Sequence, residues 1–473
     1  MKKMLPLLPL AAALMLTGCI NLAPNYERPE APVAQAWPEG ESYAQSELKR
    51  ESLAKWQDFI LDERLEKVIG LALENNRDLR IAALNVEKAR AMYGVQRSEL
   101  FPTVAAVAQN AVTHTDLTEQ TTHAYSANLA MASYEVDFFG RVRNLNEQAL
   151  QSYLQSEDAR RTTQGTLVAE VAMAWLTLGA NRQQLDLQKQ TLASQEESFR
   201  LVEESYKHGA VSRLDFEQAR STVASARAAI ASYVRAAAQS ANALNLLVGS
   251  EVPAELQPDA VALNATLPAS LPEGVPSEVL LNRPDIMSAE RGMISANAAI
   301  GAARAAFFPS VSLTAGIGSS APHMSDLFTA NTGAWTFTPN VSIPLFTGGL
   351  NLANLEAAKA SQKIAVATYE KSIQTAFREV ADAMATEGTV ERELAARREF
   401  ADAATKAYEL SDSRYKLGAA AYTEVLDAQR TKVAAEQAVI AAELSRASSL
   451  VTLYKVLGGG TELPQQEAAG EAK

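Results

Sequence analysis

The sequence predicts a mixed α and β fold in which one strand-strand-helix-helix unit occurs twice. Residues 78–104 align without a gap onto residues 285–311, at an offset of 207 residues. Farther along the chain the offset is 209 residues, and it pairs Gly209 with Gly418. Solenoid repeats span about 20 to 50 residues, so an offset this long indicates a duplicated half-molecule.

The N-terminal residues have the pattern of a secretory signal. Lys2-Lys3 precedes an apolar run over residues 4–16, which is too short to cross a bilayer. Leu16-Thr-Gly-Cys19 follows, a pattern typical of a bacterial lipobox. We expect residues 1–18 to be removed and Cys19 to carry covalent lipid; an ordinary signal peptide with an incidental cysteine is the alternative. Each buried acyl CH₂ contributes about 0.8 kcal/mol, so two or three chains hold a protein on a membrane.

Composition and charge exclude several classes of protein. A net charge of -12 argues against nucleic acid as a partner, although an ordinary soluble acidic protein has the same character. With Cys19 as the only cysteine, the sequence offers no disulfide and no cysteine-rich metal site. It also lacks a Ser/His/Asp constellation, a metal-ligand spacing and a glycine-rich phosphate loop. We therefore expect neither an enzyme nor a cofactor, apart from the lipid on Cys19.

The distribution of proline predicts two long helical hairpins. All 18 prolines lie outside residues 103–252 and 345–463, where helices can run without interruption. In each window a segment of nearly seventy residues can extend on the order of 100 Å as one helix and then reaches a glycine. Helices of this length favour a coiled coil, a tube or a stalk. The predicted hairpins span residues 141–248 and 350–457.

Alternating segments before each helical hairpin predict strands. Trp335, Phe337, Val341 and Ile343 alternate with threonine, asparagine and serine, as in a sheet with one apolar and one polar face. The same reasoning predicts two β-hairpins, over about residues 102–138 and 309–346. Strands of about 10 to 13 residues match the length that crosses a membrane in a barrel.

Four strands cannot close a barrel, and an open strand edge in lipid leaves its amide groups unpaired. Several chains must then share one barrel. Two chains give eight strands and a plugged interior, whereas three give twelve strands and an open lumen. If the protein is a conduit, it is predicted to be a homotrimer. The alternative is that the strands form a β-sandwich in a soluble domain, with their apolar faces inward.

The remaining segments connect the repeats. The predicted organisation is a signal peptide over 1–18, an acylated extended N-terminus and equatorial segment over 19–76, a first repeat over 77–248, an equatorial connector over 249–283, a second repeat over 284–457 and a tail over 458–473.

Motifs along almost the whole mature chain resemble one family. They are the lipobox, Asn25-Tyr-Glu-Arg-Pro-Glu-Ala-Pro-Val33, Tyr134-Glu-Val-Asp-Phe-Phe-Gly-Arg141, Arg283-Pro-Asp-Ile286, Ala302-Ala-Arg-Ala-Ala-Phe-Phe-Pro309 and Leu426-Asp-Ala-Gln-Arg430. With these motifs at this spacing, the chain resembles the outer-membrane factors of tripartite RND-type efflux systems. These factors form the OprM/TolC family, and the resemblance is to its lipoprotein branch.

The resemblance implies a trimeric, twelve-stranded transmembrane β-barrel in the outer membrane of a Gram-negative bacterium, continued by a long helical barrel in the periplasm. It implies a periplasmic adaptor (membrane fusion) protein and an inner-membrane RND-type pump as partners, and outer-membrane lipid around the barrel. Ile20 in place of Asp after the cysteine implies release to the outer membrane. The implied function is a passive exit channel for multidrug efflux. Alternatives are a periplasm-spanning structural lipoprotein and the outer-membrane duct of a metal-efflux or protein-secretion system.

The hairpin tips are candidate adaptor contacts. Gly209, Ser212, Gly418 and Ala421 are small, and small residues let another backbone approach closely. The resemblance implies this role; plain helix termination is the simpler alternative.

A periplasmic gate is also implied by the resemblance, at Arg414, Thr423 and Asp427, with Asp215 and Glu424 as neighbours. Thr423 and Asp427 are four residues apart and share one helix face. A threefold ring of Asp427 carboxylates would attract cations. Some relatives have a large apolar residue at the position of Thr423, so the threonine here puts the apolar part of the gate in doubt. For Asp427 the alternative is an ordinary solvated acid on a helix.

Overall fold

A computed structural model describes most of the chain between its two ends. The described residues are 20–34, 36–43, 55–117, 119–259, 266–267 and 277–461. Cys19 and the predicted signal peptide lie outside them, as do residues 462–473 of the predicted tail and much of the equatorial connector.

The helices and strands follow the duplicated order. The N-terminal half has α1 (Trp56–Phe59), α2 (Glu63–Asn75), α3 (Arg77–Ser98), β1 (Thr103–Thr115), β2 (Gln120–Val136), α4 (Arg141–Lys207) and α5 (Arg213–Val248). The C-terminal half has α6 (Pro284–Ala305), β3 (Ser310–Ala321), β4 (Gly333–Ser342), α7 (Leu350–Lys416) and α8 (Tyr422–Val456). Short 3₁₀ turns occupy Ala254–Leu256, Ser277–Asn282 and Met324–Asp326.

These bounds confirm the duplication and the mixed fold. Helices α4 and α7 both have 67 residues, and their first residues differ by the predicted offset of 209. The structure adds a helix of 22 residues at the start of each repeat: α3 in the first and α6 in the second. Each of these has an aspartate in its first turn and an arginine in its last, charges that the helix macrodipole favours there.

The four strands form one antiparallel sheet in the order β1-β2-β3-β4. Across it Leu129 pairs with Ile317, which pairs with Trp335, so that one face has a row of large apolar side chains. On the opposite face Gly316 pairs with Thr336, and Thr314 pairs with Thr338. The predicted alternation therefore continues from strand to strand.

A bulge in β2 preserves this alternation. Between Met131 and Tyr134 the strand advances three residues while β3 advances two, from Ala315 to Leu313. The extra residue keeps Tyr134 on the apolar face together with Met131, although their sequence numbers differ in parity. The second predicted β-hairpin extended to residue 346, but β4 ends at Ser342, since Pro344 has no amide hydrogen to continue the ladder.

The chain divides into two compact units. The first, Met1–Ala31, Leu84–Glu157 and Met287–Lys371, contains the sheet. The second, Pro32–Ala83, Asp158–Ile286 and Ser372–Lys473, contains both tips of the helical hairpins. Within the described parts of the chain, no helix is both long and apolar enough to span a membrane.

The second unit has a core that buries one face of α2. Leu65, Ile69 and Trp175 are almost completely inaccessible to solvent, and the Trp175 indole donates to the carbonyl of Leu256 at 3.0 Å. Gly249 ends α5 with a φ of 79°. A β-carbon there would lie 2.4 Å from the carbonyl oxygen of Asn75, so only glycine at this position lets the end of α5 approach the end of α2 this closely.

Candidate functional site: the tips of the helical hairpins

The first tip turns the chain through a glycine and a capped helix start. After α4, Gly209 has a φ of 72°, and its amide donates to the carbonyl of Tyr206 at 2.9 Å. Ser212 then caps α5: its hydroxyl accepts from the amide of Asp215 at 3.1 Å, and the Asp215 carboxylate accepts from the amide of Ser212 at 3.2 Å. This capping box satisfies amides that the helix leaves unpaired.

The second tip repeats the glycine but not the cap. Gly418 has a φ of 71°, and its amide donates to the carbonyl of Tyr415 at 2.9 Å. Ala421, at the position of Ser212, has no side-chain oxygen with which to cap α8. Among the described residues, no atom lies within 4 Å of a β-carbon built on Gly209 or on Gly418, so both turns present open surface.

The two equivalent acids have different partners at the two tips. Asp215 is held in the capping box of the first tip. Glu424, which is not needed as a cap, forms an ion pair with Arg414 at 3.5 Å, and Arg414 also donates to the carbonyl of Ala419 at 3.2 Å. Of the predicted gate residues, the structure therefore brings together Arg414 and Glu424 at one turn.

The other two predicted gate residues lie on the exposed face of α8. Thr423 and Asp427 are exposed, whereas Tyr422, Val425 and Leu426 are buried. The carboxylate of Asp427 is 3.6 Å from the guanidinium of Arg430 on the same helix. Asp427 and Arg430 therefore form an exposed pair one turn apart on this face of α8. The gate itself stays a prediction.

An aromatic cluster behind the tips was missed from the sequence. Phe216 of α5 packs against Phe199 and Tyr206 of α4, with ring centroids 5.5 and 4.9 Å apart. On the second hairpin, Tyr415 and Tyr422 are 5.2 Å apart. Buried residues of both hairpins form a single core, against which Phe199, Phe216 and Tyr415 pack. The signal was available in the 209-residue offset, which pairs Phe199 with Tyr408 and Tyr206 with Tyr415.

Burial in this cluster changes the acidity of one phenol. Loss of hydration raises the pKa of Tyr422 to about 12, with smaller contributions from Tyr415, Tyr408 and Asp215. The phenol is neutral at physiological pH and behaves as part of the apolar core beneath the exposed face of α8.

The described residues include no group of three or more histidine, cysteine, aspartate or glutamate side chains placed to hold a metal ion. The described residues at the tips form turns, a helix cap and ion pairs.

Comparison with known proteins places the duplicated halves in one family. Residues 68–250 and 275–459 match the model described as "Outer membrane efflux protein", one match for each half. The antibiotic efflux pump outer membrane protein ArpC of Pseudomonas putida is 44% identical over 96% of this chain and 95% of its own length. The toluene efflux pump outer membrane protein TtgC, also of Pseudomonas putida, has the same identity and coverage. The open-state crystal structure of the MtrE outer membrane channel of Neisseria gonorrhoeae superimposes with a TM-score of 0.86 at 37% identity, over 93% of this chain and 99% of that one.

Proposed function

The chain belongs to the outer membrane efflux protein family, and from that premise we propose that it is the passive exit duct of a tripartite pump that exports antibiotics or organic solvents. It is an outer-membrane transport protein rather than an enzyme, and its fold of two duplicated halves is that of a solved outer-membrane channel. Transport energy comes from an inner-membrane partner, for which an RND-type pump is the proposed class.

The apolar row across the sheet carries this proposal. Leu129, Ile317 and Trp335 are paired side by side on three strands, yet their exposed fractions are 57, 67 and 77%. Exposing such a contiguous row to water is unfavourable, at roughly 25 cal/mol for each Å² of apolar surface. Hydrocarbon chains of a bilayer cover this face without that cost, and the polar opposite face then borders an aqueous lumen.

The two outer strands of the sheet require further strands. β1 and β4 each have one neighbour in the four-stranded sheet, and lipid supplies no hydrogen bonds for the remaining edges. We infer that three chains join β4 to β1 in a ring of twelve strands, which leaves a lumen wide enough for solutes. A homotrimer is therefore the proposed assembly.

The tips are the proposed docking surface for a periplasmic adaptor. Gly209, Gly418 and Ala421 leave the turns without bulk, and Ser212 is used in a cap. Leu214 and Leu417 lie beside these turns with exposed fractions of 65 and 84%. Large apolar side chains next to small residues suit a partner helix that packs closely.

The exposed face of α8 is the proposed gate. Thr423 and Asp427 lie on it, while Arg414, Asp215 and Glu424 pair or cap at the turns behind it. In a trimer three Asp427 carboxylates would select cations at the narrow end, with Arg430 offsetting part of their charge. Cys19 is the proposed site of covalent lipid, which intact-protein mass measurement after membrane extraction tests directly.

Two measurements test the duct together. Purified protein is added to planar bilayers, where discrete conductance steps are expected, and the gene is expressed in a Gram-negative strain that lacks its own outer-membrane efflux proteins, together with an adaptor and pump from a relative's system. Restored tolerance to antibiotics or toluene is expected. A trimer that never conducts would refute the duct, whereas a conducting trimer that restores no tolerance would assign it to another cargo.

A further inference from the structure

The two repeats of the chain meet at a junction inside the first compact unit. On one side lie the end of β2 and the start of α4, and on the other the end of α6 and the start of β3. The rings of Phe139 and Phe308 stack across it, with centroids 4.7 Å apart. Gly301 of α6 lies against Asn144 of α4, since a β-carbon on Gly301 would come within 2.5 Å of the Asn144 amide nitrogen. We call this contact the internal junction.

Both sides of the internal junction occur a second time in the duplicated chain. The 207-residue offset makes Phe101 the equivalent of Phe308, and Phe346 the equivalent of Phe139. The amides of Phe101 and Phe308 each donate at 3.0 Å to the carbonyl three residues earlier, so the same turn places both rings. Phe101 is nevertheless 62% exposed, and Phe346 is 91% exposed. The second pair of surfaces is therefore formed, but it is exposed in one copy of the chain.

The glycine of the internal junction is repeated as well. Gly94 of α3 is the equivalent of Gly301, but among the described residues no atom lies within 4 Å of a β-carbon built on it. Glycine weakens the interior of a helix, and a close approach of another backbone is a physical reason for its use there. Met92 and Val95 of α3 are 58 and 60% exposed, so the surface around Gly94 is apolar. These residues suit close packing against a second apolar helix.

Two arginines of the internal junction are replaced by leucines on the second surface. Arg141 and Arg143 of α4 form ion pairs with acids at the end of β2. The second copy has two more residues between Phe346 and its helix, so the offset in α7 is 209 and the equivalents are Leu350 and Leu352. Both leucines are exposed, at 60 and 59%. Clustered exposed apolar side chains mark contact surfaces, and this surface is apolar where the internal junction is charged.

We propose that the α3–β1 end of one copy docks on the β4–α7 end of the next copy with the geometry of the internal junction. Phe101 then stacks on Phe346 of the neighbouring copy, and Gly94 lies against its Ala353, the equivalent of Asn144. The occupant is a second copy because the chain has both halves of a contact that it already forms once within itself. This contact between copies rests on the proposed homotrimer and supplies the residues that close its ring.

The internal junction also predicts the strand register between copies. Tyr134 lies opposite Leu313 where β2 pairs with β3. The 207-residue offset converts this pair into Val341 of one copy opposite Ala106 of the next. Ala106 pairs with Leu129, so it lies on the apolar face of the sheet, as Val341 does. Opposite residues of antiparallel strands have Cα atoms about 4.5–5.5 Å apart, a distance that a disulfide spans.

Disulfide crosslinking of the full chain in outer membranes tests this register. After oxidation with copper phenanthroline, Ala106→Cys with Val341→Cys is expected to give covalent trimers on denaturing, non-reducing gels. Co-expression of the two single variants is expected to give covalent dimers only, because each mixed trimer then contains at most one bond between copies. The control, Ala108→Cys with Val341→Cys, is two residues out of register and is expected to crosslink about 10-fold less. Wild type gives the background from Cys19.

Substitutions at the aromatic pair and the glycine test the same contact without cysteines. Phe101→Ala is expected to lower the trimer-to-monomer ratio on unboiled gels about 10-fold or more, and adding Phe346→Ala is expected to lower it little further, since the two rings act as one pair. The control is Phe328→Ala in the connection between β3 and β4, where the ring is 80% exposed. Gly94→Leu is expected to lower the ratio, whereas on an open helix face it would strengthen the helix.

The outcomes separate the contact from the proposed duct. Trimers that crosslink only through the out-of-register pair, or through neither pair, would overturn the register. Trimers that tolerate both Phe101→Ala and Gly94→Leu would assign these surfaces to lipid and overturn the contact. Either result leaves a conducting homotrimer intact, whereas a chain that stays monomeric and never conducts would refute the duct together with the contact.

Discussion

Replacing Ile317 by lysine tests whether the apolar row faces lipid. Ile317 is the eighth residue of β3, so it lies about 23 Å along the strand from Ser310 at 3.3 Å per residue. With a tilt of about 45° that is roughly 16 Å along the membrane normal, near the middle of an apolar band about 25 Å tall. A lysine at that depth costs about 2–4 kcal/mol per chain, and three well-separated copies add to roughly 6–12 kcal/mol per trimer.

The assay compares Ile317→Lys with Thr314→Lys. Thr314 is three residues away on the same strand but on the opposite face of the sheet, where it pairs with Thr338 of β4. The fraction of chains that migrate as trimer on unboiled gels, and the fraction retained in urea-washed outer membranes, are measured against temperature. Ile317→Lys is expected to lose both, and Thr314→Lys to resemble wild type. Equal damage by the two substitutions, or none from Ile317→Lys, would refute the assignment of faces.

Five other substitutions test the tips and the exposed face of α8. Ser212→Ala removes the capping box and is expected to destabilise the start of α5 by about 1 kcal/mol, seen as faster hydrogen exchange there, whereas Ala421→Ser is expected to slow exchange at the start of α8. Tyr422 has its pKa raised from 10 to about 12, so its contribution of up to about 3 kcal/mol is present below pH 10 and lost as the pH rises to 12; Tyr422→Phe should flatten thermal stability across that window, and an unchanged slope would contradict the burial. Asp427→Ala is expected to lower the cation-to-anion permeability ratio in bilayers and Arg430→Ala to raise it; if neither changes the ratio or the conductance, the gate is not at this face.

Much of the fold could be predicted because the signals are local or repeated. Proline is excluded from helix interiors whatever the tertiary structure is. The two windows without proline contain helices α4, α5, α7 and α8. The glycines that end α4 and α7 adopt positive φ in the structure, as helix-stop glycines do. The alternation on β3 and β4 is likewise a property of the pleat.

The candidate site was only partly predictable, because partners depend on contacts that numbering does not encode. Asp215 and Glu424 are equivalent in the duplication, yet one is in a capping box and the other pairs with Arg414. That difference follows from two changes between the halves: Ala421 in place of Ser212 removes the cap, and Arg414 in place of Ser205 supplies the ion-pair partner. The first helix of each repeat, α3 or α6, was not predicted at all, because neither helix has a strong apolar stripe.

The sequence by itself determined the duplication, the four strands, the two helical hairpins and the family, since offsets, proline positions and alternation are written in the order of residues. Only the tertiary structure decided that the bulge after Met131 keeps one face apolar and that residues 20–28 lie along Glu290, Asn297 and Arg304 of α6. These contacts join residues that are far apart in the sequence, by more than 250 positions for the bonds of Arg28, Pro24 and Leu22. Their energies depend on distance, geometry and burial, which arise only when the chain has folded.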